Sequence, residues 1–238
     1  MHFHLPKPIH GWREFGGEVG IIVLGVLIAL SAEQIVQAAH QRQEGVEAEQ
    51  IVRNELSLNL GRLQSRMEIH GCVERRIEEV QKLLDNAASN PVIVAPGWIG
   101  RPQYWTFLNS RWQAEAQAGQ AALVDPRRLP DYGIMYNWMQ NLQDQMGLEQ
   151  TDWAKLRTLE HMRRLDPAAA LEFNMTLQDA RYRNWRLALV TGQLFDMATT
   201  LRLRPTANAT SADRSVCLPI TTTRGEANRQ SVWPVGEP

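Results

Sequence analysis

Glu18-Val19-Gly20-Ile21-Ile22-Val23-Leu24-Gly25-Val26-Leu27-Ile28-Ala29-Leu30-Ser31-Ala32-Glu33 is the stretch whose reading decides the fold. As a helix, the uncharged residues between the two glutamates cover about 21 Å, less than the roughly 30 Å of a bilayer's hydrocarbon core. The flanks lengthen it: Phe15, Gly16 and Gly17 precede Glu18, and Ile35, Val36, Ala38 and Ala39 follow Gln34. About 25 residues then occupy core plus interface, with the glutamates snorkelling at its edges. Trp12 and Phe15 stand where interfacial aromatic anchors are expected, and Lys7 and Arg13 make the leader basic.

Three readings compete for this run. A cleaved signal peptide also has a basic leader and a short apolar region, and Ala29-Leu30-Ser31 offers small residues for cleavage. A buried helix of a soluble protein is the second. An uncleaved anchor is favoured, because an acid abuts the run and the helical pattern continues through Glu33-Gln34-Ile35-Val36 without a turn signal. The bilayer is thus the first expected partner. Lys7 and Arg13 on one side balance Arg42 and Arg53 on the other; Arg13 lies nearer the run, which tilts the N-terminus toward the cytoplasm and the large C-terminal part outside it.

At 100° per residue, Glu18, Ile22, Gly25, Ala29, Ala32, Glu33 and Val36 fall within about 60° of one direction. Gly25 and Ala29 form a small-xxx-small pair of the kind that lets a second helix approach, and a partner there can satisfy the glutamates. The alternative is that Gly and Ala are common in spans and both acids snorkel. Gly16 and Gly20 lie on the opposite face.

Beyond the span, 37–50 is polar nearly all round, a solvated stalk of about 20 Å. Val52, Leu56, Leu60, Leu63, Met67, His70, Val73, Ile77, Val80 and Leu84 then recur at three and four residues, the mark of one buried helical face. Pro91, Pro96, Gly97, Gly100 and Pro102 interrupt it. A second helix is expected with Trp105, Leu108, Trp112, Ala116, Gly119 and Leu123 on one face. A third, starting near Pro130-Asp131 and bent or broken near Gly147, carries Met135, Trp138, Leu142, Met146, Trp153 and Leu156. Asp166-Pro167 supplies an N-cap and a first-turn proline for a fourth, with Phe173, Leu177, Ala180, Asn184, Leu187, Val190, Leu194, Met197 and Leu201 on one face until Pro205.

The expected fold is therefore all-α: leader 1–14, transmembrane helix 15–36, stalk 37–50, an antiparallel bundle of about four helices over 51–204, and an irregular tail, 205–238, packed on it.

The net charge of −1 gives no electrostatic reason to expect nucleic acid. Cys72 and Cys217 are too far apart for a zinc ribbon or a CxxC motif. They can form one bridge, the tail being long enough to run back up the bundle to the first helix; two unpaired buried thiols is the other reading. No phosphate loop, nucleophile elbow, HExxH or dinucleotide fingerprint is present. His2, His4 and His10 read as part of a flexible leader rather than a metal site, and His70 reads as a hydrogen-bonded core histidine. Trp105, Trp112, Trp138, Trp153 and Trp185 read as anchors of the bundle core, with an aromatic-lined pocket as the alternative. Arg181-Tyr182-Arg183-Asn184-Trp185-Arg186 reads as a solvated face around a packed Trp. No catalytic, cofactor or metal-binding residues are expected.

His10-Gly11-Trp12-Arg13-Glu14-Phe15, the run from Gly17 to Leu30 and Ala32-Glu33-Gln34 resemble the opening of a family of Gram-negative bacterial membrane proteins with no assigned activity. Cys72 with Arg75-Arg76, Ala118-Gly119-Gln120-Ala121 and Cys217-Leu218-Pro219 are similar to that family as well. The resemblance implies an uncleaved inner-membrane anchor and two functionally paired cysteines. The expected function is non-enzymatic: a periplasmic helical domain that docks on another membrane or envelope protein, or on a second copy through the transmembrane helix. The alternative is a periplasmic ligand-binding sensor that signals through a partner.

Overall fold

The computed structural model describes residues 11–206 and 212–230, apart from the side chains of Arg13, Glu14 and Gln120. The basic and histidine-bearing positions Lys7, His2, His4 and His10, and the ends of the tail, lie outside the described residues. The fold is all-α, as the periodicity predicts.

Helix α1 (Trp12–Glu68) runs without interruption from the apolar stretch into the domain. Residues 15–36 are exposed throughout, and this helix is long and apolar enough to cross a membrane. Ile69, with φ −99° and ψ 0°, separates α1 from α2 (His70–Ser89); the predicted apolar face is buried on both sides of that junction, but Arg66 and Ile69 take the inward positions there in place of the expected Met67 and His70. The stalk is shorter than its polarity suggests. Gly45 and Ala48 are buried, and a Cβ on Gly45 would overlap the Leu123 carbonyl. Glu49 accepts hydrogen bonds from Arg128 (2.7 Å) and Tyr132 (2.8 Å), so the bundle begins near residue 45.

Helix α4 (Leu129–Leu156) continues unbroken through Gly147, where a bend or a break is expected from sequence; a single glycine with open space around it lowers helix propensity by only about 1 kcal/mol, which packing of the flanking Met146 and Trp153 overrides. Its direction is read from its bonds to α1. Glu49 meets Tyr132 and Arg66 meets Glu149 at the same sequence offset of 83, so α4 runs parallel to α1. α5 (Pro167–Thr200) begins as predicted, the Asp166 carboxylate accepting the Ala169 N–H at 2.9 Å. It runs antiparallel to both, its start packing with α2 and its end with α1.

A parallel pair requires the chain to return between them, and it does so mostly as extended chain with one short helix. The expected second helix is reduced to α3 (Ser110–Gln117) and a 3₁₀ turn at Gln120–Leu123, and Trp105 and Leu108 lie in an extended connection. The physical reason is a set of polar side chains placed to satisfy extended backbone. Asn59 donates to the Leu108 carbonyl (2.7 Å) and accepts its N–H (2.8 Å). Gln143 accepts the Phe107 N–H, Gln150 donates to the Pro102 carbonyl, and Arg62 donates to that of Thr106. Glu55 accepts the Arg111 and Trp112 N–H groups at the start of α3, where a carboxylate also meets the favourable end of the helix dipole. Buried backbone groups need such partners, and here side chains supply what a helix supplies internally.

The tail closes the distal half. Thr206 N–H donates to the Ser57 carbonyl, and Cys217 is bonded to Cys72. Beside the disulfide, the buried Arg76 donates to the carbonyls of Trp98, Ile99 and Leu218, holding connection and tail on α2. A short helix, α6 (Arg224–Gln230), ends the described chain.

Candidate interaction face

Helix α5 is apolar on two opposite faces. Phe173, Leu177, Ala180, Leu187, Leu194 and Ala198 are buried in the bundle. Leu171, Met175, Tyr182, Trp185 and Leu189 face outward and are 64, 63, 51, 55 and 47 % exposed. With Gln178 they alternate at four and three residues, and at 100° per residue they lie within about 40° of a direction roughly 180° from the core. From Leu171 to Leu189 the stripe is about 27 Å long. A surface helix needs one apolar stripe to hold its place; a second one, broken only by Gln178 and rimmed by polar residues, is left free for another molecule to cover.

The rim is fixed by both neighbours. Toward α4, Lys155 pairs with Glu172 (2.6 Å) and Arg183 with Asp152 (2.7 Å), while Arg186 reaches Asn141 (3.4 Å). Burial pushes the Asp152 carboxyl up, with Arg183 opposing it. Toward α2, Gln178 bonds Gln81 at 3.1 Å. There the stripe borders a groove of about 730 Å³ lined by Glu74, Ile77, Glu78, Tyr182 and Trp185, the two aromatic rings lying 5.8 Å apart.

Directly behind this face lies a buried polar layer. Asn184, one residue before Trp185, accepts from Arg66 (3.2 Å) and lies 3.2 Å from His70 Nδ1. Arg66 pairs with Glu149 at 2.8 Å with both side chains almost fully enclosed, and His70 reaches Glu74 at 3.1 Å. Arg66 Nε and Nη1 and Glu149 Oε2 have no protein partner among the described residues. Burial drives the Glu149 carboxyl upward, and Arg66 pulls it back. The layer separates two apolar clusters, one around Val52–Leu63 with Met135–Met146, the other around Val73–Leu84 with Trp153–Leu159.

The residues proposed from sequence fall elsewhere. Glu18, Ile22, Gly25, Ala29, Ala32 and Glu33 share α1 and are exposed, and nothing lies within 4 Å of a Cβ built on Gly25. At 100° per residue that stripe points about 145° away from Gly45, Ala48 and Val52, so the bundle leaves it uncovered. Cys72 and Cys217 are joined, and His70 is a hydrogen-bonded, half-buried histidine as expected. One expectation is corrected: Trp185 is not a packed anchor of the core but half exposed beside Tyr182, because Asn184 and Leu187 take the inward positions of that turn. Trp105 and Trp153 are buried. The second four-three repeat of α5 was present in the sequence as the signal for the outward face. Compared with protein-family models, with curated proteins and with solved structures, the chain matches none.

Proposed function

We propose that this chain is a non-enzymatic, single-pass inner-membrane protein of a Gram-negative envelope, whose periplasmic helical domain docks an amphipathic helix of another envelope protein along the outward face of α5. The observation that carries this reading is the second apolar face of α5, whose four-three spacing suits a helix laid against it. The disulfide fits an oxidising compartment, and α1 supplies a span with the domain beginning a few turns beyond it.

The test is site-specific photocrosslinking in intact membranes. A photoreactive residue at Met175, Tyr182 or Leu189 is expected to capture one protein, while the same residue at exposed Asn54 of α1 captures none. Trp185→Asp is expected to abolish the product without shifting the melting temperature, since Trp185 contributes nothing to the core. Absence of product at all three stripe positions, or equal capture at Asn54, refutes the docking face; a product made only of this chain replaces the heterologous partner with a second copy.

A further inference from the structure

A separate cavity lies where the extended connection passes between α4 and the tail, and none of its lining residues belongs to the α5 face or its rim. It measures about 510 Å³, within the range of small-molecule sites, and its walls include Trp98, Tyr104, Trp105, Arg101, Arg157 and Asp213.

Two carboxylates in or beside its wall already accept hydrogen bonds. The Asp213 carboxylate accepts the Ser215 N–H at 2.8 Å. One Glu160 oxygen takes both the Ile99 N–H (2.9 Å) and Arg157 Nε (3.3 Å). The Trp98 indole N–H is spent on the Ser215 carbonyl at 2.9 Å. Donors, by contrast, remain. Trp105 is nine-tenths buried, yet its indole N–H has no acceptor among the described residues. Arg101 is exposed, with neither an ion pair nor a hydrogen bond among the described residues. The Arg157 guanidinium carbon lies over the Trp98 ring, 5.2 Å from its centroid. A buried donor without an acceptor is costly, and guanidinium groups match carboxylate and phosphate oxygens in geometry as well as charge.

We infer that this cavity binds an organic anion, a carboxylate or phosphate carried on a planar ring, with the anion against Arg101 and Arg157 and the ring against the Trp98, Tyr104 and Trp105 walls. The two guanidinium groups select the anion; the aromatic walls select the ring.

The experiment uses the full chain in nanodiscs, titrated calorimetrically with phenyl phosphate, benzoate, phenol and inorganic phosphate. At least one ring anion is expected to bind at or below about 1 mM, with phenol and inorganic phosphate at least tenfold weaker. Comparing phenyl phosphate with benzoate decides between the two anion types. Arg101→Gln removes a charged donor from an exposed position, so the melting temperature is expected to hold while binding falls about tenfold or more. Failure of both ring anions to bind, equal binding of phenol, or unchanged binding to Arg101→Gln overturns the inference. None of these outcomes bears on crosslinking through α5, so the two proposals fail separately.

Discussion

Replacing Glu149 with Leu removes the carboxylate that faces Arg66 and leaves a guanidinium in an enclosed site whose remaining partner is the neutral Asn184. Arginine cannot shed its proton, so the charge stays buried at any accessible pH. With charge centres about 4 Å apart and an effective dielectric constant of about 20, the lost attraction is about 4 kcal/mol, which agrees with the roughly 3–5 kcal/mol seen when one member of a buried pair is removed. For a chain of this size that corresponds to a melting temperature lower by about 8–16 °C. Arg66→Met is expected to cost less, about 2–3 kcal/mol, because the abandoned carboxyl can take up a proton. The double variant Arg66→Met/Glu149→Leu, which joins the two apolar clusters into one, is expected within about 1 kcal/mol of the native protein or above it. Urea denaturation followed by near-ultraviolet circular dichroism measures all three. If Glu149→Leu lies within about 1 kcal/mol of the native protein, or if the double variant is as unstable as Glu149→Leu, the pair is not coupled as its geometry states.

Other outcomes follow from the same structure. Because burial raises the Glu149 and Asp152 carboxyls, the folded chain holds protons that the unfolded chain has released; stability is expected to fall as pH rises from the ordinary carboxyl value through the raised ones, and Glu149→Gln should flatten that slope in denaturation midpoints taken across the range. Reducing the Cys72–Cys217 bond opens a closed loop spanning a separation of 145 residues, for which chain entropy gives a loss on the order of 5 kcal/mol, read as a lower guanidinium midpoint with reductant. Arg76→Met, which strands three carbonyls beside that bond, is expected to release the tail further, seen as faster amide exchange at Leu218–Thr222. Gly147→Ala, in open space within α4, should stabilise by up to about 1 kcal/mol, whereas Gly45→Ala, whose Cβ meets the Leu123 carbonyl, should destabilise by about 1–3 kcal/mol.

The helices that were legible in the sequence are those whose structure is decided locally. Asp166-Pro167 caps α5 with its own side chain, and the repeats from Val52 to Leu84 and from Phe173 to Leu201 run long enough to mark helices each with a buried stripe. The return connection was not legible for the opposite reason. Trp105, Leu108 and Trp112 have helical spacing, but the groups that hold 98–109 extended are Asn59, Arg62, Arg76, Gln143 and Gln150, which are distant in sequence and look like ordinary helix-surface residues. A polar residue on an apolar face reads as a blemish in the pattern until its partner is known.

The α5 face shows a different limit. Its residues were all visible, and Trp185 was singled out, but a helical stripe is ordinarily assigned to the core, and α5 carries two. Only the position of its neighbours decides which one is covered. Asn184 settles the matter: its amide is held by Arg66 and His70, which fixes that turn with Leu187 inward and turns Tyr182, Trp185 and Leu189 to solvent. Rotating α5 to bury Trp185 would have to break the Arg66–Asn184 bond and draw the two apolar clusters across a charged layer. The polar layer therefore specifies the rotation of α5 as well as separating the clusters, and it links the stability of Arg66 and Glu149 to the presentation of the docking face. Asn184→Leu tests that link: it leaves Trp185 in place, and if the layer sets the rotation, the variant should lose photocrosslinking at Tyr182 while remaining folded. Retention of the crosslink at native yield would show that packing of Leu177, Leu187 and Leu194 alone orients the helix.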